Sequence, residues 1–312
     1  MTTVRYGKMF YVIGFVFALT AATLNASIGV LNKFAFSFGA SFASVAFYKT
    51  LIGFCVLSAL ALIAPKIRKD IWALRKSFWK VFLLALLGVF TLYFFETWAF
   101  SIADVPMTAF MIYVPGIVTV ILGVLVLNER LSLARGFALL FCMVGVAIML
   151  LGKSEDPTVG IGTSLALLGG LGYALFIFFS RYFSLSNGLG LVWWLFMLGG
   201  LMLLGPAWYS DKLYLPIDAL PAVSALAIFP TIGGFYFTLQ ATKRVPAGVV
   251  QIIETCDPLI ASLFAYIFLG EHLTLLSTVG AAMILTSLII LSSGGSNKNE
   301  TLPAQASGSS TG

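Results

Sequence analysis

The chain has 312 residues, of which 60% are hydrophobic and 10% charged, with a net charge of +6. A typical soluble domain is about 45–50% apolar and about 25% charged, so this chain has too few polar residues to cover a soluble surface. Soluble enzymes and disordered proteins are excluded as readings. A nucleic-acid partner is excluded too, because most Lys and Arg stand in short gaps between long apolar runs rather than in one basic face.

A membrane helix needs about 20 mostly apolar residues. Ten stretches qualify, at residues 9–31, 41–64, 78–100, 106–127, 133–151, 161–182, 188–209, 221–240, 246–269 and 273–291. The first is longer than a signal-peptide core of about 7–15 residues and reads as a retained helix. Its Gly14, Ala18, Ala22 and Ala26 form a small-residue stripe that suits close helix packing. Asn25 stands beside the stripe, placed either to meet a substrate or to bond a neighbouring helix.

The second span carries Lys49 and the third carries Glu96, both in the half of the membrane that holds the 101–105 connection. A charge at the bilayer centre costs about 2.5 kcal/mol or more unless it finds a partner. A Lys49–Glu96 ion pair is therefore expected, serving either as a gate or as a structural bridge. Tyr93, Glu96 and Phe100 share one helix face. The fourth span contains Val114-Pro115-Gly116 near its middle, and Pro115 and Gly116 predict a break there.

Tyr173 in the sixth span takes the position that Asn25 holds in the first. The ninth span carries Gln251, Glu254 and Asp257 at intervals of three, which lines them along one cavity. Asp257-Pro258 predicts a second broken helix, with Asp257 capping and Pro258 in the first turn. Both breaks are expected to face a central cavity, because broken backbone in lipid must be covered by protein or water. Trp98, Tyr113, Trp193 and Trp194 are candidate aromatic walls.

Cys55, Cys142 and Cys256 each lie in an apolar run, so neither disulfides nor a cysteine metal site is expected. His272 is the single histidine and reads as a solvated turn residue. The segment 292–312 is rich in Gly, Ser, Thr and Asn and is expected to be a disordered cytoplasmic tail.

With a cytoplasmic N-terminus, only Lys33, Lys153 and Lys212 fall on the outer side and only Lys49 within a span. The rest of the 18 Lys and Arg fall inside. That bias favours ten spans with both termini cytoplasmic. The chain also repeats itself. Asn128-Glu129-Arg130-Leu131-Ser132 matches Gly270-Glu271-His272-Leu273-Thr274, and Val105-Pro106 matches Val245-Pro246. Five spans per copy is odd, so the second copy must insert upside down. The expected organisation is a first repeat over 1–152, an inverted one over 153–291, and a site near the bilayer midplane between them.

The hinge Leu127-Asn128-Glu129-Arg130-Leu131-Ser132, followed by Gly136 and Gly145, resembles the EamA branch of the drug/metabolite transporter superfamily. The resemblance covers the chain to about residue 291 and implies an all-α integral membrane fold of ten helices in two inverted five-helix repeats. Within the branch it is most similar to bacterial inner-membrane exporters of aromatic amino acids. It departs from many members in having Lys49 where they have Arg, and Ser287 where its own first half has Gly145.

The implied function is export of amino acids by alternating access, with a small amino acid and the lipid bilayer as partners and no cofactor. Another small metabolite or drug, or a non-transporting sensor, are the alternatives. Acidic residues at depth serve equally as proton sites or plain ligands, so proton antiport and facilitated diffusion both fit, as do monomer and homodimer. An enzyme would need a nucleophile and base clustered in one place, and the sequence has none.

Overall fold

A computed structural model describes residues 3–127, 133–151, 157–183, 185, 188–209, 213–242, 244, 253 and 256–293. Every regular element among them is helical. The first half contains α1 (Thr3–Ala26), α2 (Ile28–Ser37), α3 (Phe42–Ile63), α4 (Pro65–Leu74), α5 (Phe78–Ala85), a π-helical segment (Leu86–Thr91), α6 (Leu92–Ile102), α7 (Val105–Tyr113), α8 (Gly116–Leu127) and α9 (Leu133–Leu151). The second contains α10 (Pro157–Tyr182), α11 (Leu189–Tyr209), α12 (Leu220–Leu226), a second π-helical segment (Ala227–Gly234), α13 (Phe235–Thr242), α14 (Asp257–Leu269) and α15 (Leu275–Ser293). The expected tail beyond residue 293, the 128–132 hinge and Val245-Pro246 lie outside the described residues.

Among the described residues six helical stretches are long and apolar enough to cross a membrane: Val12–Ser37, Phe42–Ile63, Pro65–Ile102, Gly160–Ser180, Leu189–Tyr209 and Ile217–Thr238. Four shorter apolar helices, Val105–Val118, Gly136–Met149, Asp257–Leu269 and Leu275–Ser287, fall where the fourth, fifth, ninth and tenth spans are expected. Leu62, Ile63, Trp79, Leu125, Phe137 and Tyr266 stand well exposed on their outer faces. A surface of that kind is at home against hydrocarbon and not against water.

Local chemistry sets the boundaries. The Ser41 side chain accepts the Ser44 N–H at 3.1 Å and starts α3. The helix ends at Ala64, whose backbone is extended because Pro65 follows. Residues 65–74 then form a helix, where the sequence suggested only a connecting loop. The first span is not continuous either. The Ser27 hydroxyl and N–H both return to the Leu24 carbonyl, at 2.6 and 3.1 Å, and separate α1 from α2. The stripe on α1 is packed as expected, with Ala18, Ala22 and Ala26 no more than 1% exposed.

The two π-helical segments occupy the third and eighth spans, the same place in each half. In each, a threonine hydroxyl bonds the carbonyl five residues back: Thr91 to Leu86 and Thr231 to Leu226, both at 2.8 Å. A wide turn leaves a carbonyl poorly satisfied, and the hydroxyl supplies the missing donor. Each segment also receives a helix from the other half. A side chain at Gly172 of α10 would meet the Leu87 carbonyl, and one at Gly234 would meet the Asn25 amide of α1.

Helices α9 and α15 run antiparallel along each other. A Cβ on Gly145 would stand 2.9 Å from the Gly280 carbonyl, and the Ser287 hydroxyl donates to the Ala138 carbonyl at 2.6 Å. The offset that relates Glu129 to Glu271 also relates Gly145 to Ser287 and Ala138 to Gly280. The two contacts are thus mates about a local twofold axis. Serine replaces glycine at one of them because its hydroxyl has a carbonyl to bond there.

Candidate functional site

Lys49 lies seven residues into α3 and Glu96 six residues before the end of α6. At about 1.5 Å per residue both stand about 10 Å from the same helix ends. They meet: Lys49 Nζ is 3.4 Å from Glu96 Oε2. Lys49 also donates to the Thr97 hydroxyl at 3.2 Å and sits 4.1 Å from the centre of the Tyr93 ring. Lys49 is 1% exposed and Glu96 6%. An ammonium and a carboxylate buried this deeply persist because each neutralises the other, while the hydroxyl and the aromatic face take up further charge.

Tyr93 in turn stands beside Thr231 of the second π-helical segment and near Tyr173 of α10. Tyr173 lies nearly parallel to Phe176, with ring centres 6.3 Å apart. The first half's charges are thereby joined to two elements of the second.

A second polar contact joins the end of α7 to the start of α14. The Tyr113 hydroxyl, at the end of α7, donates to Asp257 Oδ2 at 2.6 Å. Asp257 is 7% exposed. The chain turns at Cys256, and α14 begins at Asp257 with Pro258 in its first turn. A carboxylate there is favoured by the unpaired N–H groups of the helix start. In the fourth span, α7 stops at Tyr113 and α8 starts at Gly116, with Pro115 between them. The Ile117 and Val118 N–H groups close tight turns onto Val114 and Pro115. This break borders an apolar groove of about 540 Å³, lined also by Ser164, Leu167, Leu168 and Leu171 of α10.

The helices α6 and α7, which each carry one partner of these contacts, both pack on one spot of α10. A Cβ on Gly169 would stand 3.1 Å from the Glu96 backbone nitrogen, and one on Gly170 would meet the Ile112 carbonyl. The adjacent glycines let both α6, at Glu96, and α7, at Ile112, approach α10 closely. The sequence signal for this was present in Gly169-Gly170-Leu171-Gly172, a small-residue run of the kind that marks close helix contact. Thr97 and Thr231 had no comparable signal.

The structure does not assemble every candidate here. The Asn25 amide packs against Gly234 of the second π-helical segment. Trp98 stacks on Phe42, with ring centres 5.0 Å apart and planes 6° apart. The Trp193 indole donates to Ser58 and the Trp194 indole to the Ile71 carbonyl, at 2.8 and 2.9 Å, which ties α11 to α3 and α4. Gln251 and Glu254 lie outside the described residues. His272 is exposed in its turn. Among the described residues no cluster of His, Cys, Asp and Glu is fit to hold a metal ion.

One contact was not anticipated. Gly270 ends α14 in the left-handed conformation, at φ 70°. The Glu271 N–H closes the turn onto the Ala265 carbonyl at 3.2 Å, and a glycine is the residue that adopts this turn without strain. The turn aims Glu271 at the start of α7, where Oε2 accepts the Val105 N–H at 2.6 Å. Its other oxygen lies 3.8 Å from Lys33 Nζ on α2. Glu271 thus latches the 270–274 turn onto two helices of the first half. Next to Lys33 in the chain, the amide of fully buried Asn32 has no hydrogen-bond partner among the described residues.

The pattern of the EamA-like transporter family matches this chain twice, over residues 12–151 and 160–293. The chain belongs to the EamA-like transporter family. An uncharacterized transporter of Archaeoglobus fulgidus is 26% identical over 204 residues, covering 62% of this chain and 68% of that one. A solved crystal structure superposes with a TM-score of 0.62 at 19% identity, covering 89% of this chain and 95% of its own. At that identity the superposition shows a shared fold. The chain is an EamA-type multi-pass membrane transporter.

Proposed function

We propose that this EamA-type transporter exports amino acids, aromatic and other neutral ones, by alternating access between two inverted five-helix repeats, residues 1–152 and 153–291. The observation that carries the reading is a pair of polar contacts at depth, Lys49 with Glu96 and Tyr113 with Asp257, on two helices, α6 and α7, that both pack at Gly169-Gly170 of α10. A zwitterion needs one cation and one anion at depth. Lys49 meets the substrate carboxylate, while Glu96 and Asp257 meet its ammonium. Few polar contacts amid Tyr93, Tyr173 and Phe176 favour broad specificity over tight binding.

Lys49–Glu96 acts in this scheme as a clamp that the substrate opens. A transported zwitterion replaces each partner's counter-charge, so the pair need never be left bare in lipid. The doubled family match, the matched π-helical segments and the twofold contacts of α9 with α15 support the repeat. The Lys and Arg bias supports placing both termini in the cytoplasm, and the resemblance to bacterial inner-membrane exporters supports that membrane as the location.

The test is a panel of aromatic, neutral, acidic and basic amino acids offered to vesicles holding the purified chain, with and without a pH gradient. Uptake of aromatic and neutral ones above protein-free vesicles is expected. No amino acid moving faster than in empty vesicles, while another small metabolite does, overturns the substrate assignment.

A further inference from the structure

We propose that α4 and the turn after it form a binding surface for anionic phospholipid headgroups. Helix α4 leaves α3 at Ala64 and returns to the apolar α5 at Phe78. At ten residues it spans about 15 Å, too little to cross a bilayer. Its two ends are marked by side chains that need hydrocarbon. Leu62 and Ile63 are 79% and 78% exposed, and Trp79 is 77% exposed. The helix therefore lies along the boundary between acyl chains and water.

The roll of α4 about its own axis is settled by α11. The Trp194 indole donates to the Ile71 carbonyl at 2.9 Å. A Cβ on Gly190 would stand 2.6 Å from the Asp70 Cβ, so that glycine admits α4 at close range. Leu74 is buried on the same side. The outward side carries Arg68, Lys69 and Trp72, all exposed, and Arg75 and Lys76 continue it; Lys66, one turn before Asp70, stands exposed at the flank. Asp70 is the one acid in this stretch, and it faces α11.

Among the described residues Lys66, Arg68, Lys69 and Lys76 have no acidic partner. Arg75 packs 4.6 Å from the centre of the Trp72 ring. Cations beside an indole at this depth match a lipid phosphate above an acyl chain. The charges meet the phosphodiester, and the indole sits at the headgroup level. A nucleic acid or an acidic protein would meet the same charges, but neither would be drawn to the exposed Leu62, Ile63 and Trp79 beside them. Each cation near an anionic surface contributes about a fivefold preference.

The full chain, purified in a zwitterionic detergent, is mixed with equal amounts of phosphatidylglycerol and phosphatidylcholine. Retained lipids are counted by native mass spectrometry. The wild type is expected to retain phosphatidylglycerol at least tenfold over phosphatidylcholine. K66Q/R68Q/K69Q/K76Q is expected to lose that preference and K66R/K69R/K76R to keep it. All four neutralised side chains are exposed, so folding is spared; R68Q/K69Q, with a fivefold or greater loss expected, serves should the fourfold variant not fold.

In a second measurement, phosphatidylglycerol with brominated acyl chains is expected to quench wild-type tryptophan fluorescence more than that of W72F. Equal retention of the two lipids by the wild type, undiminished preference in the neutral variants, or equal quenching of W72F overturns the proposal. Displacement of the lipid by 10 mM inorganic phosphate (roughly the scale at which a free-anion site saturates) also overturns it, in favour of a soluble anion site.

Discussion

Replacing Lys49 by Met leaves Glu96 buried at 6% exposure with its countercharge gone. Removing one partner of a buried ion pair costs about 3–5 kcal/mol, because the remaining charge stays desolvated and unpaired. Loss of the ammonium from the Tyr93 face adds about 0.5–2 kcal/mol. At about 2–4 °C per kcal/mol for a chain of this order of size, the melting temperature in detergent should fall by about 10 °C. The double variant K49M/E96M removes both charges and should regain most of that loss.

Transport separates the two roles of the pair. A structural bridge predicts that K49M/E96M recovers transport together with stability. A substrate clamp predicts recovered stability and absent transport in the vesicle assay. K49M melting within about 2 °C of wild type, a shift worth less than about 1 kcal/mol, would refute the claim that these charges depend on each other.

Glu271→Ala frees the Val105 N–H and the Lys33 ammonium. A hydrogen bond to a charged group is worth about 1.5–3 kcal/mol, and the half-buried 3.8 Å pair adds little. The latched state should weaken about tenfold or more, read as faster labelling of Asn32→Cys in a cysteine-free chain; a change under threefold removes the latch. Asp257→Asn keeps the shape of the Tyr113 contact and removes a titrating carboxylate; transport that loses its response to a pH gradient assigns the coupling proton to Asp257, and an unchanged response excludes it. Gly170→Leu drives a side chain into the Ile112 carbonyl, so stability should drop by about 1–3 kcal/mol through overpacking. Full stability and full transport in that variant would show that α7 does not need the glycine.

Some of this molecule follows from chemistry that operates along the chain. Apolar runs must be helices in lipid, because no water is present to satisfy a free backbone. Ten such runs therefore predict ten helices, and the structure has apolar helices where they are expected. Lys49 and Glu96 were legible as a pair because an isolated charge at that depth is expensive and both stand in the same half of the membrane. Pro115 and Pro258 announce breaks because proline lacks the donor a helix interior needs. Even the duplication shows in turn residues, where composition varies enough to be compared.

Other features depend on which helices touch, and hydrocarbon gives apolar helices no preferred neighbour, so contact depends on shape. Gly169-Gly170 and Gly145 opposite Gly280 settle those neighbours, and only then do Tyr113 and Asp257 meet, or Glu271 and Val105. The π-helical segments at 86–91 and 227–234 leave an apolar sequence unchanged in character, so periodicity alone did not reveal them. Residues 65–74 stood in the sequence as a charged gap between two spans; they form a helix that packs on α11 through Ile71 and Leu74. Trp193 and Trp194 looked like cavity walls and are tethers, since an indole N–H buried near Ser58 and Ile71 goes to the acceptor within reach. Spans, breaks and charges are local consequences of burial in lipid, whereas the site is a consequence of close packing between helices far apart in the chain.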